Sequence, residues 1–228
     1  MEKEKLLRDD CVKKGELCVV AGVKDIGKST LLQNIADAFQ RDDSGKQVLF
    51  FYASKRREVS TKHEDRVKYI ELTELPLQTG HILLEAGWVQ KDYGLSAIII
   101  DDYRYLLRTE MFRGKELSRS EKILFLLTRF KTLAEAYDVP MIVSSNVDDD
   151  YIWGRHEKKP LLSDIPDYEY VEMLADKLIL LHRDEVFDKE SEKKGLAELA
   201  IYDLATRNYR DYQLAYLQDK NRFCCLER

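Results

Sequence analysis

The run Gly-Val-Lys-Asp-Ile-Gly-Lys-Ser-Thr, Gly22 to Thr30, follows the apolar stretch Leu17–Ala21 and precedes Leu31–Phe39, where apolar residues recur at helical spacing. It fits G-x-x-x-x-G-K-[ST] in the strand, loop, helix context that this motif requires. The chemistry it predicts is the holding of a nucleotide triphosphate. Backbone N–H groups along Gly22, Lys24, Asp25, Ile26, Gly27, Lys28, Ser29 and Thr30 cradle phosphates at the positive end of the following helix. Lys28 reaches the β- and γ-phosphates, and the Ser29 hydroxyl binds Mg²⁺.

A second run, Ala97-Ile98-Ile99-Ile100-Asp101-Asp102, describes a buried parallel strand that ends in acid. Coming about 70 residues after the phosphate loop, it predicts that Asp101 completes the Mg²⁺ shell at the strand's carboxyl end, the Walker B arrangement. ATP and Mg²⁺ are the expected cofactors.

These groups need a sheet to position them. Strands are predicted over Leu17–Ala21, Gln47–Tyr52, Val67–Leu72, Ala97–Asp102, Met141–Asn146 and Asp176–His182. Helices are predicted after the phosphate loop, within Leu75–Gln90, from Ser120 as cap to a stop at Asp138-Val139-Pro140, and briefly at Tyr170–Ala175. The spacing of the first two strands predicts a parallel β-α-β unit. Ala197–Asp203 and Tyr212–Leu217 read as two antiparallel strands, joined by a turn at Ala205–Asp211 that carries Arg207 and Arg210. The fold class is therefore α/β, a mainly parallel central sheet flanked by helices with a C-terminal antiparallel extension. Residues 1–228 are expected to form one domain.

Two segments lack periodicity. Tyr103–Arg119 is basic, suited to a solvated face or to nucleic acid. Val147–Tyr168 carries Trp153 near Arg155, His156, Lys158 and Lys159; Trp153 either stacks on a base or tacks the loop to the body. His182, ending an apolar strand with no His or Cys nearby, reads as a packed side chain.

Composition narrows the function. A net charge of −5 over 228 residues argues against coating nucleic acid by bulk charge. No apolar run approaches the roughly 20 residues of a membrane span, and the charged start predicts a cytoplasmic protein. Cys11, Cys18, Cys224 and Cys225 have no zinc spacing and read as reduced.

With these pieces in order, the chain resembles the C-terminal ATPase domain of DnaB-type replicative helicases, which has the RecA-like P-loop NTPase fold. The resemblance runs from about Lys14 to Phe223. Lys-Gly-Glu-Leu before the phosphate loop, Gly-Lys-Ser-Thr-Leu within it, Ile-Ile-Ile-Asp at the fourth strand and Leu-Ala-Glu-Ala-Tyr-Asp-Val-Pro-Met-Ile before Asn146 carry it. So do Lys-Lys-Pro-Leu-Leu-Ser-Asp-Ile at 158–165 and Leu-Ala-Asp-Lys-Leu-Ile-Leu-Leu-His-Arg-Asp-Glu at 174–185.

The resemblance implies a hexameric ring that couples ATP hydrolysis to movement along single-stranded DNA. This sequence departs from it at catalytic positions. Ser54 stands where the family's water-activating glutamate belongs, and a serine cannot act as that base at neutral pH; Glu58 and Asp102 are the substitutes. Asn146 replaces the glutamine that senses the γ-phosphate. Asp203-Leu204-Ala205-Thr206-Arg207 stands where the family has its Lys-x-Arg finger, leaving Arg207 or Arg210 as displaced candidates for that role. The chain is also expected to begin almost at the ATPase domain, lacking the collar domain and most of the linker helix.

The expected function is an ATP-binding protein, slow or inactive in hydrolysis, with an accessory role in DNA replication or recombination. It would act as a monomer or weak oligomer, with single-stranded DNA and replication or recombination proteins as partners. The alternatives are an active DNA-dependent ATPase or helicase, and an interaction module with a vestigial loop.

Overall fold

The computed structural model describes residues 12–42, 45–53, 66–72, 78–109, 117–148 and 150–226. Two segments, Leu17–Gly22 and Leu95–Asp101, are buried at every position. Such runs need cover on both faces, the condition of a parallel sheet between helices.

In chain order, Leu17–Gly22 (β1) leads to Lys28–Asp42 (α1), Gln47–Tyr52 (β2) and Val67–Glu71 (β3). Thr79–Asp92 (α2), Leu95–Asp101 (β4), Leu106–Thr109 (α3), Arg119–Tyr137 (α4) and Met141–Asn146 (β5) follow. The remainder comprises Asp150–Gly154 (α5), Tyr168–Leu174 (α6), Lys177–His182 (β6), Asp184–Phe187 (α7), Leu196–Asp203 (β7), Asn208–Leu217 (β8) and Arg222–Cys225 (β9).

One sheet of 9 strands runs in the order β3-β2-β4-β5-β1-β6-β7-β8-β9. Strands β1 to β6 are parallel, and β7, β8 and β9 are antiparallel additions. The expected fold class therefore holds. The expected β1-α1-β2 unit is parallel as well, but β4 and β5 lie between its strands.

This order positions the site. The chain leaves β1 towards β2 and leaves β5 in the opposite direction, towards β6. Right-handed crossovers therefore send α1 to one face and the connection after β5 to the other. Gly22 is the register partner of Asn146 across that divide, and in such sheets ligands bind where the connections part.

Local chemistry moves several boundaries. The long helix is capped by Ser118, whose Oγ accepts from the Glu121 amide at 3.3 Å while the Glu121 carboxylate accepts from the Ser118 amide at 2.8 Å. Ser120, the expected cap, bonds Asp167 instead. The helix expected over Leu75–Gln90 is Thr79–Asp92; residues 73–77 lie outside the described residues. Strand β8 begins at Asn208, so Arg210 belongs to a strand and the turn shrinks to Leu204–Arg207. Strand β9 is an addition to the expected elements, too short and mixed to signal itself in the sequence.

Candidate functional site

The loop after β1 is built by two unusual backbone conformations. Asp25 has φ +61°, and Gly27 has φ +109°, a value that side-chain-bearing residues rarely adopt. Between them Ile26 is fully buried and pins the loop to the core, while Lys24 and Asp25 are exposed. A Cβ on Gly22 would lie 2.8 Å from the Leu181 carbonyl oxygen of β6, so only glycine allows the strands to close here. The Leu31 amide donates to the Gly27 carbonyl at 2.9 Å, which starts α1 at the loop's end. Ser29 is half-buried in its first turn.

Lys28 is 8% exposed. Its ammonium donates to the carbonyl oxygens of Gly22 at 2.9 Å and Val23 at 2.7 Å. Burial pulls its pKa down to about 8, against the opposing pull of Asp102 and Asp101. A buried ammonium held by loop carbonyls is a group poised to accept an anion.

The acids stand at the end of β4. Asp101 is buried, and its Oδ1 accepts from Ser144 Oγ at 2.9 Å; the same Ser144 oxygen accepts from the Asp102 amide at 2.8 Å. Asp102, expected inside the strand, lies just past it with φ +62°. The reversal turns its carboxylate onto Arg104, which donates Nε to Oδ1 at 3.1 Å, Nη2 to Oδ2 at 3.2 Å and its own amide to Oδ1 at 3.2 Å. Arg104 Nη1 also reaches the Asn146 carbonyl at 3.4 Å.

Lys28, Ser29, Asp101, Asp102 and Asn146 thus share the carboxyl ends of β1, β4 and β5, as expected. Arg207 does not join them. Lys177 pairs with Asp203 and His182 with Glu198, so the turn after β7 lies at the amino ends of the parallel strands. Arg207 is exposed there with φ +57°, on the edge opposite its own chain's loop. Ser54 and Glu58 lie outside the described residues, as do Arg113 and Lys115 of the basic segment.

Four further residues crowd the loop from the C-terminal strands. Arg183, 9% exposed, places its guanidinium carbon 3.7 Å from the centre of the Tyr216 ring, and its Nη1 donates to the Ile26 carbonyl at 3.3 Å. Asn221 Oδ1 accepts from Thr30 Oγ1 at 2.8 Å and from the Tyr216 hydroxyl at 3.0 Å. The buried Phe223 ring lies against Gly27, and its amide donates to Asn34 Oδ1 at 2.8 Å. Their only sequence signals, a basic residue after β6 and an Asn-Arg-Phe near the end, have no meaning without the strand order.

The 147–168 segment is ordered by polar bonds rather than apolar periodicity. Arg155 grips the buried Asp164 with both guanidinium nitrogens, one at 2.8 Å, and Asp164 also accepts from the Leu161 amide at 2.7 Å. Lys159 pairs with Glu198 and Lys158 with the Trp153 carbonyl. Trp153 leans on Phe187 with centroids 4.9 Å apart yet stays 51% exposed, so it both tacks the loop and presents a face. His182 is packed as expected, bonded to Asp184 at 2.6 Å. A separate cleft of about 460 Å³, lined by Gln47, Trp88, Val89 and Tyr93 among others, opens at the amino ends of β2 and β3 and contains none of the expected site residues.

The chain is similar to known proteins in sequence and in fold. The replicative DNA helicase DnaB of Geobacillus stearothermophilus is 31% identical over 140 residues, 61% of this chain and 30% of that protein. That of Mycoplasma pneumoniae is 27% identical over 244 aligned positions, 92% of this chain and 49% of that protein. The chain therefore spans half or less of these curated relatives. Among solved structures, an isolated ATPase domain superposes with TM-score 0.76 at 19% identity, covering 95% of this chain and 86% of that one. A DnaB-like replicative helicase, described with its interactions with primase, gives 0.74 at 19%, covering 94% and 58%. At such identity these two likenesses speak for the fold. The family model described as DnaB-like helicase C terminal domain matches residues 58–224, well over half of the chain, and the chain belongs to that family.

Proposed function

We propose that this chain is a DnaB-type motor domain that binds Mg·ATP at the 22–30 loop and hydrolyses it slowly or not at all, in an accessory role in DNA replication or recombination. The observation that carries the binding half is Lys28, a buried ammonium held by Gly22 and Val23 carbonyls beside Asp101. The residues fit the cofactors. Glycines stand where a Cβ would collide, the loop amides lie at a helix start, and Ser29 and Asp101 supply the hydroxyl and carboxylate for Mg²⁺. Among the described residues no group of three His, Cys, Asp or Glu is placed to hold a metal ion. Mg²⁺ needs none here, since it takes one or two carboxylates and completes its shell with phosphate and water. Bound there, it neutralises charge on the β- and γ-phosphates.

The slow half rests on Asp102 and Arg207. A general base must face the attacking water, and the Asp102 carboxylate is instead turned onto Arg104, which donates to both of its oxygens. Arg207 stands at the other sheet edge, so it can serve only a neighbouring subunit's site. The Arg183–Tyr216 stack beside Ile26 offers flat apolar and cationic surfaces for the base of the nucleotide. No helix among the described residues is long and apolar enough to cross a membrane; cytoplasmic location and a monomer or weak oligomer belong to the same proposal.

A second reading, an active DNA-dependent ATPase, draws support from the relatives, which are named replicative helicases. Calorimetric titration with Mg·ATP, paired with a turnover assay with and without single-stranded DNA, separates them. Binding with turnover well below one per second in both conditions supports the proposal; turnover of several per second on DNA replaces it with the second reading. Absence of binding removes both.

A further inference from the structure

The nucleotide reading gives no task to Arg104, a cation at the edge of the site. Arg104 sits in the short turn after β4, and its guanidinium bridges two site elements, the Asp102 carboxylate and the Asn146 carbonyl. Asn146 is the register partner of Gly22, whose carbonyl anchors the Lys28 ammonium. The anchoring points of the two cations therefore lie on neighbouring strands, spaced about 4.8 Å apart. The charge of Arg104 bears on Lys28 directly, being one of the influences that lower its pKa.

We propose that Arg104 is an in-chain contact for the γ-phosphate, held in reserve by Asp102 until a triphosphate arrives. This rests on the reading that the 22–30 loop holds Mg·ATP. The holding pair is cheap to open. Its side chains are 24% and 36% exposed, and ion pairs this open to solvent hold only weakly. The γ-phosphate offers a planar fork more negative charge and more oxygens than one carboxylate does. A diphosphate provides no such partner, so with ADP the Arg104–Asp102 pair stays closed. The contact thus distinguishes ATP from ADP within one chain, with no residue from a neighbour.

The test is calorimetric titration of the full chain with Mg·ADP and with a non-hydrolysable Mg·ATP analogue whose γ-phosphate is intact. Wild type, Arg104→Gln, Arg104→Lys, Asp102→Asn and the Arg104→Gln/Asp102→Asn double variant are compared. The expected result is that Arg104→Gln weakens the triphosphate analogue about tenfold or more, the loss of a charge-assisted bond, while ADP binding stays within about twofold. Arg104→Lys, keeping the charge without the fork, recovers part of the preference. Asp102→Asn tightens the analogue in the wild-type background and loses that gain in the Arg104→Gln background. Equal losses for both nucleotides, or none, overturn the inference, as does an Asp102→Asn gain that persists without Arg104. If wild type binds both nucleotides and Arg104→Gln leaves their ratio unchanged, this inference alone fails; wild type binding neither defeats the nucleotide reading, and Arg104's role with it.

Discussion

Gly27 and Phe223, nearly 200 positions apart in the chain, touch so closely that a Cβ on the glycine would lie 2.8 Å from the phenylalanine Cζ. The 22–30 loop is thus closed from outside by the last strand of the sheet. Gly27→Ala meets two obstacles: φ +109°, which costs about 1–3 kcal/mol for a residue with a side chain, and the buried ring. The urea midpoint should fall accordingly. Phe223→Leu alone loses core contacts, but it opens the space that the new methyl group needs, so the double variant should be less destabilised than the two single losses together. Strict additivity would show that the contact carries no energy.

Lys28 titrates in the working range. With its pKa lowered to about 8, the folded chain binds fewer protons than the unfolded chain between about pH 8 and pH 10.5. Unfolding free energy should therefore rise with pH across that window, and Lys28→Met should flatten the rise. Phosphate beside the ammonium restores the proton, so Mg·ATP binding at pH 8 should take up about half a proton, and at pH 7 far less. Calorimetry in buffers of different ionisation enthalpy measures this; equal uptake at both pH values would show that Lys28 does not face the phosphates.

What can be read from the sequence follows from which interactions are local. The loop, its helix and the acid at the end of β4 are legible because strand, turn and helix are contiguous and each residue's task is set by its neighbours. Ser144, Arg183 and Phe223 are not, because their partners come from other strands: Ser144 reaches Asp101 only when β4 and β5 align, and Phe223 reaches Gly27 only through β9. Asp102 falls one residue outside its expected strand for a local reason. Nothing in an apolar run ending Asp-Asp says that the second aspartate turns to φ +62° and takes Arg104 two residues on as its partner.

Ser144 is the hinge between the two aspartates. Ser144→Ala removes a donor to Asp101 and leaves the Asp102 amide without its acceptor, at a cost of about 1–3 kcal/mol for a buried polar group left unpaired. Because Asp101 is the proposed Mg²⁺ carboxylate, the Mg²⁺ concentration needed for half-maximal ATP binding should shift as well, whereas a purely structural serine would change stability alone. Cysteine at this position, a weaker partner on both sides, should fall between.

The 150–164 segment should loosen when its polar tie is cut. Arg155→Ala leaves the buried Asp164 carboxylate with only the Leu161 amide of the bonds that now hold it. Amide exchange over residues 150–164 should accelerate while the sheet strands keep their protection. In a Trp88→Phe background, Trp153 should report the change by a red-shifted emission as it leaves Phe187. An unchanged spectrum with unchanged exchange would mean that the loop is held by packing alone.

The turn that displays Arg207 is braced from below by Asp203, which bonds Lys177 across to β6 and accepts the Thr206 amide at 2.9 Å. The bond from Lys177 holds the Asp203 carboxyl down at about 2. Its contribution to stability is therefore fully present above about pH 4, the usual carboxylate range, and is lost as the pH falls towards 2. Asp203→Asn should lower the urea midpoint at pH 6, and the gap to wild type should narrow by pH 2.5. Because this turn lies at the sheet edge opposite the 22–30 loop, neither Asp203→Asn nor Arg207→Ala should change Mg·ATP affinity by more than about twofold in dilute, monomeric protein. At concentrations where copies associate, any effect of Arg207→Ala on turnover should appear in mixtures with Lys28→Ala: the Arg207→Ala subunit keeps its own loop and borrows an arginine from its neighbour. Recovery of turnover in that mixture places Arg207 in a neighbour's site, and a loss of affinity in the isolated chain would contradict the strand register that puts it at the far edge.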